Sequence, residues 1–101
     1  MLASDLREIA TKKNEEIAEE SANKIAQYIF EKCRKVAVDG FYGVACRYSE
    51  SPDILGALFN YSNYLILVQK KVEEKLKAEG FKYTYINAGP EDDDYVEVTF
   101  K

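Results

Sequence analysis

Four consecutive acidic residues form the densest group of ionisable side chains in the sequence. Glu91, Asp92, Asp93 and Asp94 follow a Gly-Pro step and separate two aromatic segments. Carboxylates in such a loop could bind a metal ion, contact a basic surface of a partner, or simply be solvated. A calcium loop spaces its acids as Asp-x-Asp-x-Asp-Gly, and that spacing is absent. A solvated loop and partner contact are the favoured interpretations, with metal binding as a third, and we take the four acids as candidate partner-binding residues.

Tyrosine is abundant, with eight in 101 residues. Tyr83 and Tyr85 would share one face of a strand with Phe81, because successive side chains of a strand point to opposite sides. On an exposed face they would form a platform for stacking or protein contact. On a covered face they would pack against a helix. The sequence leaves both open, and Tyr83 and Tyr85 join the candidate partner-binding residues.

The residue types that are missing exclude several kinds of chemistry. Histidine is absent, so neither a Ser-His-Asp nor a Cys-His pair can be assembled, and histidine zinc sites are impossible. Two cysteines cannot supply four thiolates, and the five glycines never fall in a phosphate-loop spacing. Catalysis by carboxylates or lysines is formally open, but no pair is singled out. We therefore expect a protein that is not an enzyme and has no metal or other cofactor.

The charge balance limits the partners. The net charge is −4, from 14 basic and 18 acidic residues, whereas phosphate binding needs a basic face. We expect no direct contact with nucleic acid, although a local basic patch is compatible with this charge. Lys12-Lys13 and Lys70-Lys71 could hold a small anionic ligand, but acids lie within a turn of each pair. Solvated helix faces are therefore the better interpretation of these lysines.

Cysteine usage and hydropathy predict a cytoplasmic location. Cys33 and Cys46 are too few for a disulfide framework, so both are expected to be reduced and buried. No apolar run approaches the roughly 18 residues that a membrane span needs. The first residues contain no basic region followed by an apolar one, so no signal peptide is expected.

Two helical patterns and three strand patterns alternate as α-β-α-β-β. The first helix has Ser4 as a plausible N-cap and ends at Asp39-Gly40; its inner face is rich in alanine, which predicts close helix packing near Ala18 and Ala22. The polar residues 11–16 could fray, kink or project from the body. The second helix begins at Ser51-Pro52-Asp53 and ends at Gly80. Its middle, residues 60–63, is weak helix sequence, so a break with Ser62 as a new cap is an alternative.

Three segments alternate in the manner of strands: residues 41–48, 81–86 and 95–100. The small side chains of Gly43 and Ala45 suggest that their face of the first strand lies close under a helix. The last two strands are expected to form a β-hairpin. The pattern predicts one α+β domain over residues 1–101, with two long helices on one face of a small antiparallel sheet. The wide apolar arc of the second helix and the alanine face of the first predict a homodimer or higher oligomer.

The C-terminal quarter resembles a known group of proteins. Residues 77–83 read Lys-Ala-Glu-Gly-Phe-Lys-Tyr, and the acidic turn is followed by Tyr-Val-Glu-Val-Thr-Phe at 95–100. This pattern is similar to the C-termini of small accessory proteins encoded by bacteriophages and prophages. The resemblance implies an intracellular phage protein, and many such proteins act in counter-defence by blocking a host nuclease complex or sequestering a nucleotide signal. It carries over no functional residue.

Two functional hypotheses follow. The leading one is a non-enzymatic inhibitor or adaptor that engages a host protein, including one that normally binds nucleic acid, through the acidic hairpin tip and the tyrosines. The alternative is an oligomer that holds a small, nucleotide-like anionic ligand between subunits, using lysines, Arg47 and stacking tyrosines.

Overall fold

A computed structural model of the chain describes residues 1–59, 63–86 and 94–101. The expected α+β fold is confirmed: helices pack on one side of a three-stranded antiparallel sheet. In chain order the elements are α1 (Leu2–Val38), β1 (Gly43–Arg47), a 3₁₀ turn (Tyr48–Glu50), α2 (Pro52–Leu55), a 3₁₀ turn (Gly56–Leu58), α3 (Asn63–Ala78), β2 (Lys82–Ile86) and β3 (Tyr95–Thr99).

The strand order is β1-β3-β2, so the last strand of the chain is the central one. Strands β2 and β3 are antiparallel neighbours, as the expected hairpin requires. Because side chains alternate, the register defines two faces. The helix face carries the rows Val44–Val98–Tyr83 and Cys46–Val96–Tyr85. The open face carries the rows Gly43–Thr99–Lys82, Ala45–Glu97–Thr84 and Arg47–Tyr95–Ile86.

The core lies between the helix face and the stripes that α1 and α3 turn toward it. Ala18 and Ala22 of α1 are fully buried in this core. Their small side chains allow α1 and α3 to approach closely, as the sequence predicted. The larger core residues fill the remaining space: Ile25, Ile29 and Cys33 of α1, Val68, Val72 and Leu76 of α3, and Leu55 and Leu58 between β1 and α3. The alanine face of α1 therefore packs inside the core of one chain, and it no longer supports the prediction of an oligomer.

Helix α1 is continuous and much longer than the core it covers. Its first buried residue is Ala18, and every residue from 1 to 17 is exposed. A helix of this length spans about 55 Å at 1.5 Å per residue, and the longest dimension of the molecule is 57 Å. The polar segment 11–16 therefore projects from the body without a kink. The predicted N-cap is wrong, because the helix begins at Leu2 and Ser4 lies inside its first turn.

The second helical pattern is broken at residues 56–59, so the prediction of one continuous helix is wrong. The alternative placed the break at residues 60–63, most of which lie outside the described residues. Helix α2 ends at Leu55, a 3₁₀ turn follows, and Phe59 has non-helical angles of φ −112° and ψ 9°. The new helix α3 begins at Asn63; Ser62 lies outside the described residues. Tertiary contacts favour the break, since Leu55 and Leu58 are both fully buried and Gln69 Nε2 donates to the Leu58 carbonyl oxygen at 2.6 Å.

The helices cover the face of β1 that carries Val44 and Cys46, and not the Gly43–Ala45 face that the small side chains suggested. Val44 and Cys46 are buried, while Ala45 is exposed on the open face. Gly43 does mark a close approach, but to the neighbouring strand: a Cβ atom there would lie 2.8 Å from the Val98 carbonyl oxygen. Cys33 and Cys46 are free and buried, as predicted. No helix within the described ranges is long and apolar enough to cross a membrane.

Candidate interaction surface

The tyrosines singled out from the sequence lie on the helix face. The Tyr83 ring packs against the core, and its hydroxyl is buried without a hydrogen-bond partner among the described residues. Burial, and then the nearby Glu73 carboxylate, raise the pKa of Tyr83 above its ordinary value. The Tyr85 ring lies 5.9 Å from that of Phe59, centroid to centroid. Both side chains are half-buried. Contact between these tyrosines and a partner stays a prediction, and it would involve only the exposed edges of the two rings.

The acidic run is described only at its last member. Asp94 immediately precedes β3, and its Oδ2 accepts a hydrogen bond from the Tyr85 hydroxyl at 2.7 Å. Glu91, Asp92 and Asp93 lie outside the described residues. Asp94 therefore has a structural role in tying the base of the hairpin to the helix face. Partner binding by the acidic tip stays a prediction.

The open face carries an arginine stacked on a tyrosine. Arg47 on β1 and Tyr95 on β3 are directly opposite each other in the register. The guanidinium carbon lies 4.7 Å from the centre of the tyrosine ring, which is within the range of a cation–π interaction. Arg47 is exposed and Tyr95 is half-buried. The pairing of β1 with β3 thus holds a cation over an aromatic ring at the surface.

A second cation–aromatic pair lies at the other end of this face. Lys101 Nζ is 5.3 Å from the centre of the Tyr42 ring, and that ring is 59% exposed. A hydrogen bond of 2.9 Å from the Phe100 backbone N–H to the Tyr42 carbonyl oxygen joins the two segments. Lys82 lies on the outer strand β2, opposite Thr99. A depression of about 730 Å³ extends over the face between the two pairs.

The open face has the opposite charge to the whole chain. Among the described residues that line its depression, it presents the cations Arg47, Lys82 and Lys101 with one carboxylate, that of Glu97, whereas the net charge of the protein is −4. None of the helices in the described ranges covers it, since Ala45, Thr84 and Glu97 at its centre are exposed. It is therefore the local basic patch that the composition left open. Alternation within each strand was readable from sequence, but the strand order that joins these cations was not.

Polar contacts elsewhere fasten the helices to the body. Glu19 of α1 accepts from Lys71 at 3.2 Å and from Lys75 at 2.5 Å on α3. These contacts, Lys75 first, lower the pKa of the Glu19 carboxyl. Lys32 of α1 binds the Ala45 carbonyl oxygen at 2.6 Å and Glu50 at 2.5 Å. Lys71 is therefore part of a helix–helix contact.

At Glu50 two effects on the pKa oppose each other. Burial acts to raise the pKa of Glu50. The ammonium group of Lys32 and the hydrogen bond from the Tyr28 hydroxyl both lower this pKa, and together they outweigh burial. The ionised carboxylate is thus favoured, and it holds the 3₁₀ turn after β1 against α1. Within the part of the chain that the structure describes, no group of three or more Cys, Asp or Glu side chains is arranged to hold a metal ion.

Comparisons with protein-family models, with curated proteins and with solved structures give no match to this chain.

Proposed function

We propose that the chain is a non-enzymatic binding protein that engages a host protein, as a phage counter-defence inhibitor or adaptor would. We place the contact on the open face and keep the acidic run Glu91, Asp92, Asp93 and Asp94 as candidate partner-binding residues. The observation that carries the proposal is the Arg47–Tyr95 pair on a sheet face with exposed centre. The absence of histidine supports a role without catalysis.

The chemistry of this pair suits protein recognition. Arginine and tyrosine are enriched among the residues that dominate binding energy at protein interfaces. Tyr95 already restricts the Arg47 side chain, so less conformational entropy is lost when a partner binds. A partner carboxylate could accept two hydrogen bonds from the guanidinium while an apolar group covers the ring. A partner that covers both would exclude water from the ion pair and so strengthen it.

The position of the pair links it to the acidic tip. The row Arg47–Tyr95–Ile86 is the last paired row before the chain leaves β2 toward residues 87–94. Asp94, the described member of the acidic run, therefore lies at the same end of the sheet as Arg47. A partner that contacts both would present acidic groups to Arg47 and basic groups to the tip. Such alternating charge contributes more to specificity and association rate than to affinity.

The test is a pull-down from a bacterial lysate treated with nuclease, followed by mass spectrometry. The wild type should capture a specific protein. The double variant Arg47→Glu/Tyr95→Ala should lose at least about tenfold of that signal, since interface residues of this type contribute well over 1 kcal/mol each. Arg34→Glu is the matched control, because Arg34 is an exposed arginine on α1 away from the open face. Equal capture by the wild type and the double variant would show that the partner does not bind at Arg47 and Tyr95.

The same face supports the alternative function, binding of a small nucleotide-like anion. The depression holds three cationic side chains and two tyrosine rings, which could neutralise a phosphate and stack on a base. Nucleoside mono- and diphosphates should then raise the melting temperature by mass action, and Arg47→Glu should abolish the shift. No shift with nucleotides, together with a captured protein, decides for protein binding.

A further inference from the structure

The first half of α1 carries an apolar stripe that no function proposed above uses. We name residues 2–17 the arm. Leu2 is 73% exposed, Leu6 55% and Ile9 65%. Their spacing of four and three residues places them on one side of the helix. Side chains of this size in a regular stripe on an exposed helix mark a contact surface more often than isolated exposed apolar residues do.

The stripe points away from the body. At about 100° per residue, Leu2, Leu6 and Ile9 lie on nearly the opposite side of α1 from the buried residues Ala18 and Ala22. The polar residues of the arm, such as Thr11 and Asn14, continue the line of the core-facing stripe instead. The arm therefore cannot cover its apolar side by folding onto the surface that the rest of α1 covers.

We propose that the arm is a dimerisation element that pairs with the arm of a second copy in antiparallel orientation. Leu6 of one copy would lie level with Ile9 of the other, and by symmetry Ile9 with Leu6. Leu2 would lie level with Lys13, whose aliphatic stem can cover it while the ammonium group stays in water. The seam is then a short antiparallel coiled coil centred between Arg7 and Glu8.

The charges beside the stripe favour this partner and this orientation. Asp5 and Lys12 flank the stripe on the same side, two helical turns apart. In the antiparallel pair each Asp5 faces Lys12 of the second copy, so two opposite-charge contacts form. The other flank carries Ala3 and Ala10, which face each other in the same register and allow the helices to approach closely. In a parallel pair the charged flank would face the alanine flank, and neither contact would form.

The length of the arm also fits. In this register Leu2 of the second copy lies level with Lys13 of the first copy. The paired segment therefore ends before Ala18, the residue at which the core of the first copy begins. The bodies therefore lie at opposite ends of the paired arms. Each body also packs on the side of α1 away from the seam, so neither obstructs the other. The net charge of the arm is close to neutral, which disfavours an anionic membrane surface as the occupant.

The pairing is short, so the dimer should be concentration-dependent. Sedimentation velocity over the micromolar range should show a monomer–dimer equilibrium for the wild type. Asp5→Lys and Lys12→Asp should each raise the dissociation constant about threefold to tenfold, because each places like charges together. An equimolar mixture of the two variants should recover the wild-type affinity as a heterodimer. Glu8→Lys, with the same charge change off the seam, should have little effect.

Leu6→Asp should raise the dissociation constant at least about tenfold. At concentrations where both proteins are monomeric its melting temperature should equal that of the wild type, since the arm lies outside the core. A wild type that is monomeric at high micromolar concentration overturns the proposal. So does a dimer that survives Leu6→Asp, or a monomer whose arm binds anionic lipid vesicles instead. Failure of the open-face variants would leave this result unchanged, because the two surfaces are separate.

Discussion

Removal of one oxygen atom from Tyr83 should stabilise the protein. The Tyr83 hydroxyl is buried and lacks a hydrogen-bond partner within the described part of the chain. Burying a hydroxyl without a partner costs about 1–3 kcal/mol. Tyr83→Phe keeps the ring that packs on the core and removes that cost. Because Tyr83 is only half-buried as a residue, we take the lower end and expect the free energy of unfolding to rise by about 1 kcal/mol.

The same substitution two residues further along provides the control. Tyr85 lies on the same strand and face, but its hydroxyl donates to Asp94 Oδ2 at 2.7 Å. A hydrogen bond to a charged acceptor contributes about 1.5–3 kcal/mol when shielded from water. At this half-exposed site Tyr85→Phe should lower the free energy of unfolding by about 1 kcal/mol. Two chemically identical changes should therefore have opposite signs.

Urea denaturation near neutral pH measures both effects. For a domain of this size, 1 kcal/mol corresponds to a shift in melting temperature of roughly 4–8 °C, so thermal denaturation provides an independent reading. If Tyr83→Phe destabilises the protein as much as Tyr85→Phe does, the Tyr83 hydroxyl has a favourable partner and the reasoning is wrong. Stabilisation of both variants would instead refute the expected contribution of the hydrogen bond from Tyr85 to Asp94.

Alkaline pH extends the test. The pKa of Tyr83 is raised above its ordinary value of 10.0, first by burial. The folded state therefore holds the phenolic proton more tightly than the unfolded state. This contribution to stability is fully present below about pH 10 and is lost as the pH rises above it. The advantage of Tyr83→Phe over the wild type should accordingly grow above pH 10.

Three further predictions concern stability. Glu19→Gln should cost less than about 1 kcal/mol near neutral pH, since the pair is partly exposed. Because the pKa of Glu19 is lowered, urea titrations should show this difference vanish as the pH falls through that pKa, and a persistent difference would contradict it. Gly43→Ala should cost about 1–3 kcal/mol by crowding β3. At Gly56 an added Cβ atom would lie 3.7 Å from its nearest neighbour, so Gly56→Ala should leave the free energy of unfolding unchanged or raise it by about 0.5 kcal/mol in thermal denaturation. Equal destabilisation by Gly43→Ala and Gly56→Ala would contradict this reasoning. Burial raises the pKa of Cys46 from 9.0 to about 11, so stability should fall by about 2–3 kcal/mol between these pH values. Cys46→Ala should reduce this dependence of stability on pH. An unchanged dependence would show that other groups cause it.

The segments that the sequence predicted correctly are those with local causes. Gly40 and Gly80 end their helices with φ of +87° and +86°, a conformation that glycine adopts without steric cost. The alternating aromatic segments after Gly80 form the hairpin strands for an equally local reason. Burial of both cysteines was also predictable, because the residue type is rarely exposed. Patterns that depend on neighbours in sequence were therefore sufficient for the fold class, for the strands and for the helix ends at Gly40 and Gly80.

Errors arose where a choice depended on distant residues. The continuous second helix failed because burial of Leu55 and Leu58 competes with helical propensity through Phe59. The face of β1 was assigned incorrectly because Gly43 is small on account of β3, a strand about fifty residues later in the chain. Neither constraint is visible within the segment that it affects.

The sequence alone determined the fold class, the three strands, the first helix and the absence of histidine, since all of these follow from residue type and local spacing. Tertiary structure decided which side of the sheet is covered. Insertion of β3 between β1 and β2 brings Arg47 onto Tyr95 and places Lys82 and Lys101 on the same open face, and it turns Tyr83 and Tyr85 toward the helices. A strand has two equivalent sides until it pairs and packs, so only packing against α1 and α3 could choose between them.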